Sequence, residues 1–181
     1  MPLHKKTIWG GLDVRLFYKG VFTMIKIQIP ATSANLGAGF DALGLALTYY
    51  NYIEMEECDK IDITAADGLD IPTDERNLIY ISAKDLFAVC GKKLEGLKLI
   101  QTSNIPMARG LGSSSACIIA GLVGANKMLG DPLTKDDLVD LAAQIEGHPD
   151  NTAPALLGGI VTAVFDGRKV HLSLIHISEP T

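Results

Sequence analysis

The stretch Pro106-Met107-Ala108-Arg109-Gly110-Leu111-Gly112-Ser113-Ser114-Ser115-Ala116 carries residue types that bind anions through the backbone. Gly110 and Gly112 allow a tight turn and a close approach to a ligand, with no Cβ in the way. Three serines then open an apolar run, so unpaired N–H groups and the positive end of a helix dipole face one point. A nucleotide phosphate is the natural occupant of such a loop, and the serine hydroxyls add hard oxygen atoms suited to Mg²⁺. Two familiar phosphate loops do not fit. No lysine follows Gly112, as Gly-x-x-x-x-Gly-Lys-Ser/Thr requires, and Ser115 stands where a dinucleotide fingerprint has its third glycine. On these residues alone, a Gly/Ser turn that merely caps a buried helix stays open.

Two other segments could meet a small substrate. In Pro30-Ala31-Thr32-Ser33-Ala34-Asn35-Leu36-Gly37-Ala38-Gly39-Phe40-Asp41, an amide and a carboxylate bracket a loop with two glycines. Asn35 and Asp41 suit a substrate ammonium or hydroxyl, or they simply hydrogen-bond the turn. In Glu146-Gly147-His148-Pro149-Asp150-Asn151-Thr152-Ala153-Pro154-Ala155, Glu146 ends a helical pattern and Asp150-Asn151 falls in a Pro-bearing turn. Two carboxylates near a phosphate loop can hold Mg²⁺ or orient a hydroxyl. Glu146 also reads as a solvated helix end, and His148 as a surface residue.

These groups must be held by a mixed set of elements. Strict alternation predicts a strand over Ile25–Ile29, a β-prone stretch covers Leu43 to Glu56, and Lys60–Thr64 and Leu97–Gln101 read as short strands. Helical spacing predicts a helix over Leu78–Val89 with Gly91 as its stop. Ser113–Leu129 reads as a helix apolar nearly all round, hence buried. Thr134-x-x-Asp137 resembles a capping box for a helix through Leu138, Leu141, Ala142 and Ile145. A strand over Gly158–Phe165 turns at Asp166-Gly167 into Lys169–Leu172. The pattern predicts one α+β domain without internal repeats.

Bulk properties narrow the function classes. With 181 residues, 48% of them hydrophobic, the chain can bury a sizeable core, and no apolar run is long enough to span a bilayer. A formal charge of −5 argues against a nucleic-acid binder. Three scattered cysteines suggest neither a disulfide scaffold nor a zinc site, which fits a reducing cytoplasm. Residues 1–23 lack a clear period, and a fresh start at Met24 suggests that they are non-native upstream sequence. Residues 173–181 read as an artefactual tail, so the fold is expected in residues 24–172.

The phrase Pro106-x-x-x-Gly110-Leu111-Gly112-Ser113-Ser114 resembles the phosphate-binding motif of the galactokinase, homoserine kinase, mevalonate kinase and phosphomevalonate kinase superfamily. Residues 30–41 and 146–155 are similar to the forms these motifs take in its homoserine kinase branch. The resemblance implies a ribosomal S5 domain 2-like fold with a left-handed β-α-β crossover, and a second domain beyond the matching residues. It also implies ATP-dependent phosphorylation of the hydroxyl of L-homoserine in threonine biosynthesis. ATP would bind at residues 106–116, Mg²⁺ at Ser114 and Glu146, and homoserine at Asn35, Asp41 and Asn151. Asp150 matches the position of an aspartate base in related mevalonate kinases, whereas homoserine kinases are described as working without a dedicated base, so both readings of Asp150 stay open. Another small alcohol as acceptor, or a fragment that binds ATP without turnover, are the alternatives. A homodimer is neither implied nor excluded.

Overall fold

The computed structural model describes residues 6–9, 11–19 and 22–175. Period-two alternation does generate the central strands. Ile25, Ile27 and Ile29 are buried while Lys26 and Gln28 are only part-buried, as expected for a sheet with one face on a core. They belong to β3 (Phe22–Ala34), which follows β1 (Lys6–Trp9) and β2 (Leu12–Lys19). Next come β4 (Leu43–Cys58), β5 (Ile61–Ala65), α1 (Leu78–Val89), β6 (Gly96–Thr102) and α2 (Ser113–Met128). The order closes with α3 (Lys135–Glu146), α4 (Thr152–Leu157), β7 (Ile160–Phe165) and β8 (Val170–Ile175).

The eight strands form one sheet in the order β1-β2-β3-β4-β6-β5, with β7 also on β4 and β8 on β7. Only β5 and β6 pair in parallel among the described residues, joined through α1, and the other pairs are antiparallel. The expected α+β class is therefore what forms. One departure concerns the ends set aside from the fold. β2 pairs with β3 from Asp13 to Lys19, and Leu12 and Val14 lie in the core. Residues 173–175 likewise belong to β8, which pairs with β7 up to Ile175. A second departure is α4, where the sequence suggested a turn. Pro154 is its third residue, and the first turn of a helix needs no intrahelical N–H donor there.

α2 is the hub. It touches α1, α3, α4 and strands β3 and β4, and Ile118 through Asn126 are all buried. No side chain caps its N-terminus. A missing cap costs about 1 kcal/mol, whereas each fully buried Leu, Ile or Val contributes about 1.5–3 kcal/mol. Packing therefore decides the helix, and its first turn is left free for other work. By contrast, α3 is capped reciprocally. Asp137 N–H donates to Thr134 Oγ1 at 3.2 Å, and Thr134 N–H donates to Asp137 Oδ2 at 2.9 Å. The Thr134 hydroxyl, which also donates to Asp137 Oδ2, and then the Thr134 N–H hold the Asp137 carboxyl below its usual range. In the β7–β8 turn, Asp166 accepts from Lys169 and Arg168 N–H, which pulls its carboxyl down to about 2.

β4 has a split edge. β7 pairs with Leu43–Leu45 and β6 with Tyr52–Cys58, which leaves the intervening stretch open. The chain leaving β6 docks there. Tyr49 donates to Asn104 O at 2.8 Å, Asn104 Nδ2 donates to Tyr50 O at 2.9 Å, and buried Asn51 accepts Ile105 N–H at 2.8 Å. This anchors the start of the loop that leads into α2.

The α1–α2 crossing depends on Gly121, because a Cβ there would strike the carbonyl oxygen of Ile79 and lie 2.8 Å from Ser82 Cβ. Gly121→Ala is expected to push the helices apart and destabilise the chain by about 1–3 kcal/mol, read from the midpoint of urea unfolding.

Candidate functional site

The segment from Pro106 to Gly112 passes from β6 to α2 with alternating backbone sign. Ala108, Gly110 and Gly112 have φ of 55°, 69° and 64°, while Arg109 and Leu111 do not enter the positive-φ region. Such alternation turns successive N–H groups to one concave side, a nest for an anion. Gly112 is the N-cap of α2, so the helix N-terminus opens into the same concavity. Ala108 has a Cβ in this unfavourable region, which places mild strain beside the nest.

Gly112 is also where distant parts of the chain meet. A Cβ there would collide with Thr32 Oγ1 on β3 and lie 3.1 Å from Asn151 Oδ1. Thr32 is fully buried, and its hydroxyl donates to Asn151 Oδ1 at 2.8 Å while its N–H donates to Leu111 O at 3.2 Å. One threonine thus ties the loop, β3 and the start of α4 together.

At the first turn of α2, Ser114 Oγ donates to Glu146 Oε1 at 2.9 Å and Ser115 Oγ donates to the same oxygen at 3.0 Å. Glu146 is the last residue of α3, so the two helices bring three side-chain oxygens together. Among the described residues no three His, Cys, Asp or Glu side chains gather as a metal site. The set nevertheless fits Mg²⁺, which commonly takes one or two carboxylates and completes its shell with phosphate and water oxygens.

An open cleft of about 620 Å³ runs from this point. It is lined by every residue from Pro106 to Ser115, with Glu146, Asn151 and Asn35. The start of α1 forms its far wall, with Ile71, Pro72, Asn77 and Leu78. The wall is held by Asn77, whose Oδ1 accepts from Ile79 N–H at 2.9 Å and whose Nδ2 donates to Pro72 O at 2.9 Å. Cys117 lies at the cleft too, but burial, with the Glu146 charge adding, pushes its thiol up to about 11. Burial of this kind disfavours the thiolate.

Other sequence-derived site residues are placed differently. Ala116, last of the loop phrase, is buried behind it. Asp41 does not line the cleft: its N–H donates to Asn35 Oδ1 at 2.9 Å, and both residues hold positive φ in the turn. Asp150 is also absent from the lining, with its side chain at 0% exposure. Its Oδ1 sits 2.6 Å from His148 Nδ1 and 3.4 Å from Asn151 Nδ2, and its Oδ2 has no hydrogen-bond partner. His148 thus has a specific partner that its surface reading did not supply. Thr32 and the α1 wall were not singled out, and Ser115 was read as part of the phosphate loop without its Glu146 contact. Thr32 lies 119 residues from Asn151, and no local pattern reveals such a pair.

With this geometry in place, the likeness can be stated: residues 77–159 match the GHMP kinases N terminal domain, and the α+β fold agrees with that match. Its similarity is to homoserine kinases in particular. The homoserine kinase of Carboxydothermus hydrogenoformans is 48% identical over 159 residues, covering 86% of this chain and 52% of the relative. A solved structure of a homoserine kinase from Cytophaga hutchinsonii matches with TM-score 0.73 at 32% identity, over 86% of this chain and 53% of that one. A Listeria monocytogenes structure, described as a homoserine kinase, matches with TM-score 0.75 at 41% identity, over 84% of this chain and 53% of that one. The chain spans about half the length of the curated relatives it matches.

Gly112→Ala joins a positive-φ penalty to a collision with Thr32 Oγ1. It is expected to weaken triphosphate binding at least tenfold and to lower the melting temperature, checked by calorimetric titration and thermal unfolding.

Proposed function

We propose that this chain is the nucleotide-binding part of an ATP-dependent kinase that converts L-homoserine to O-phospho-L-homoserine, a step of threonine biosynthesis in the cytoplasm. The convergence of the nest, the uncapped start of α2 and the Ser114–Ser115–Glu146 cluster at one end of a single cleft carries this reading. The similarity to homoserine kinases over 86% of the chain supports the choice of acceptor.

In this reading the N–H groups from Ala108 to Ser115 bind the ATP phosphates and Arg109 faces them from the loop. Ser114 and Glu146 would hold Mg²⁺, which supplies charge neutralisation on the β- and γ-phosphates when bound. Asn151, fixed by Thr32, and Asn35, at the cleft's edge, position the homoserine. Asp41 acts on the substrate only through the Asn35 turn, which its N–H holds. The substrate hydroxyl attacks the γ-phosphorus in line, a new P–O bond forms, the bond to the ADP oxygen breaks, and the hydroxyl proton leaves. Positioning provides most of the acceleration in such transfers.

Asp150 is the proposed acceptor of that proton, a role that requires substrate binding to open its buried Oδ2 to the cleft. A buried carboxylate oxygen without a donor is costly, and functional sites are where such costs are retained. His148 Nδ1 and Asn151 Nδ2 occupy the other oxygen and set the carboxylate's orientation.

The acceptor is tested by ADP release with homoserine, mevalonate and galactose, on the chain within its full reading frame. Homoserine-dependent release is expected, and release with a different acceptor alone would overturn the substrate assignment. Asp150→Asn should lower kcat by about 10²-fold or more. A rate within a few-fold of the parent would remove the base role while leaving the phosphate loop untouched.

A further inference from the structure

The phosphate loop is a span between two clamps. At its far end, Leu111 O accepts from Thr32 N–H on β3 at 3.2 Å. At its near end, Ile105 N–H donates to Asn51 Oδ1 on β4 at 2.8 Å. Residues 106–110 between the clamps are exposed, and the positive-φ residues Ala108 and Gly110 lie among them. Exposed backbone gains little from packing, so the direction of its N–H groups depends on where the two ends are fixed.

The near clamp takes the place of a strand. β6 stops at Thr102, yet the next three residues each keep a polar partner. Ser103 N–H donates to Asp67 Oδ2 at 2.5 Å, Asn104 O accepts from the Tyr49 hydroxyl at 2.8 Å, and Ile105 N–H reaches Asn51. Every one of these partners is a side chain, where a continuing strand would have used backbone. β4 is shaped for this. Its pairing with β3 jumps from Pro30 opposite Tyr50 to Thr32 opposite Ala46, so residues 47–49 bulge beside Ala31. Bulges re-aim side chains and recur beside active sites. Thr32 stands on one side of this irregularity and Asn51 on the other, so the bulge sets the spacing of the two clamps.

Asn51 and Ile105 are each 1% exposed, so their contact is dry. A buried N–H that loses its acceptor bears the desolvation cost and turns toward any other partner, taking the backbone with it.

We propose that Asn51, with Tyr49 beside it, is a positioning residue for the phosphate nest. It fixes the start of the loop so that the N–H groups from Ala108 onward converge on one point. This rests on the phosphate reading of the loop. Neither residue lines the cleft, and their effect passes through Ile105 and Asn104.

The test is calorimetric titration of the 181-residue chain with inorganic tripolyphosphate, well below the onset of unfolding. Asn51→Leu keeps the bulk of the side chain and removes the acceptor. It is expected to weaken tripolyphosphate binding about five- to tenfold, the effect of one hydrogen bond. Tyr49→Phe removes only a hydroxyl from a residue that is 48% exposed, and should weaken binding about two- to threefold with the fold intact. Parental affinity in Asn51→Leu overturns the proposal. Should that variant fail to fold, Tyr49→Phe decides alone, and parental affinity there overturns it. Turnover within the full reading frame separates positioning from a merely structural loss. KM for ATP should rise by the same factor while KM for homoserine holds; a lower kcat with both KM values unchanged overturns the proposal. If the parent binds tripolyphosphate and the variants bind it alike, only the clamp falls. If the parent does not bind it, the phosphate loop falls and the clamp with it.

Discussion

The seating of Gly112 on Thr32 is the constraint on which the rest of this site depends. A residue with left-handed φ and no side chain lets the loop from β6 lie directly on β3. The Thr32 hydroxyl then reaches past it to Asn151. From that contact follow the direction of α2, the aim of its uncapped first turn and the position of the segment after α3. Any larger residue would separate the loop from the strand, and the cleft would lose its floor.

A second constraint is the shared oxygen of Glu146. Two serine hydroxyls from one helix converge on a carboxylate at the end of another. Hydrogen bonds to an ionised group are roughly twice as strong as neutral ones, so the contact keeps α3 close to the start of α2. The same oxygens form a hard-ligand set. Structure and chemistry therefore draw on one cluster, and a substitution in it disturbs both.

How much of this was legible in the residues depended on the range over which each signal acts. Short-range patterns translated well. The all-round apolar run became the buried α2, Leu78–Val89 became α1 with the same bounds, and Thr134-x-x-Asp137 became a reciprocal cap in which Asp replaces the usual Glu. The loop phrase indicated an anion site, since glycine spacing and a following helix are local features. The pairs that join remote segments were not legible. Thr32 with Asn151 depends on packing that no window of sequence contains, and Ser115 joins Glu146 beside the Ser114 pairing that only the resemblance implied. α4 was missed because its start was read as part of a Pro-bearing turn, although Pro154 in a first turn breaks nothing. β2 was set aside for lack of period, yet Leu12 and Val14 alternate into the core once β3 is there to pair with.

The burial of α2 has one more consequence. The helix that presents its N-terminus to the cleft is also the centre of the hydrophobic core, so the site cannot loosen locally while the core stays intact. Occupancy and global unfolding are then linked: a ligand exchanges through the open cleft, but while bound it stabilises the whole domain. By mass action, a ligand at a hundredfold excess over its dissociation constant would add about 2.7 kcal/mol to the stability of the entire fold. The cellular lifetime of such a domain would then rise and fall with the supply of its nucleotide, making turnover of the polypeptide a readout of metabolic state.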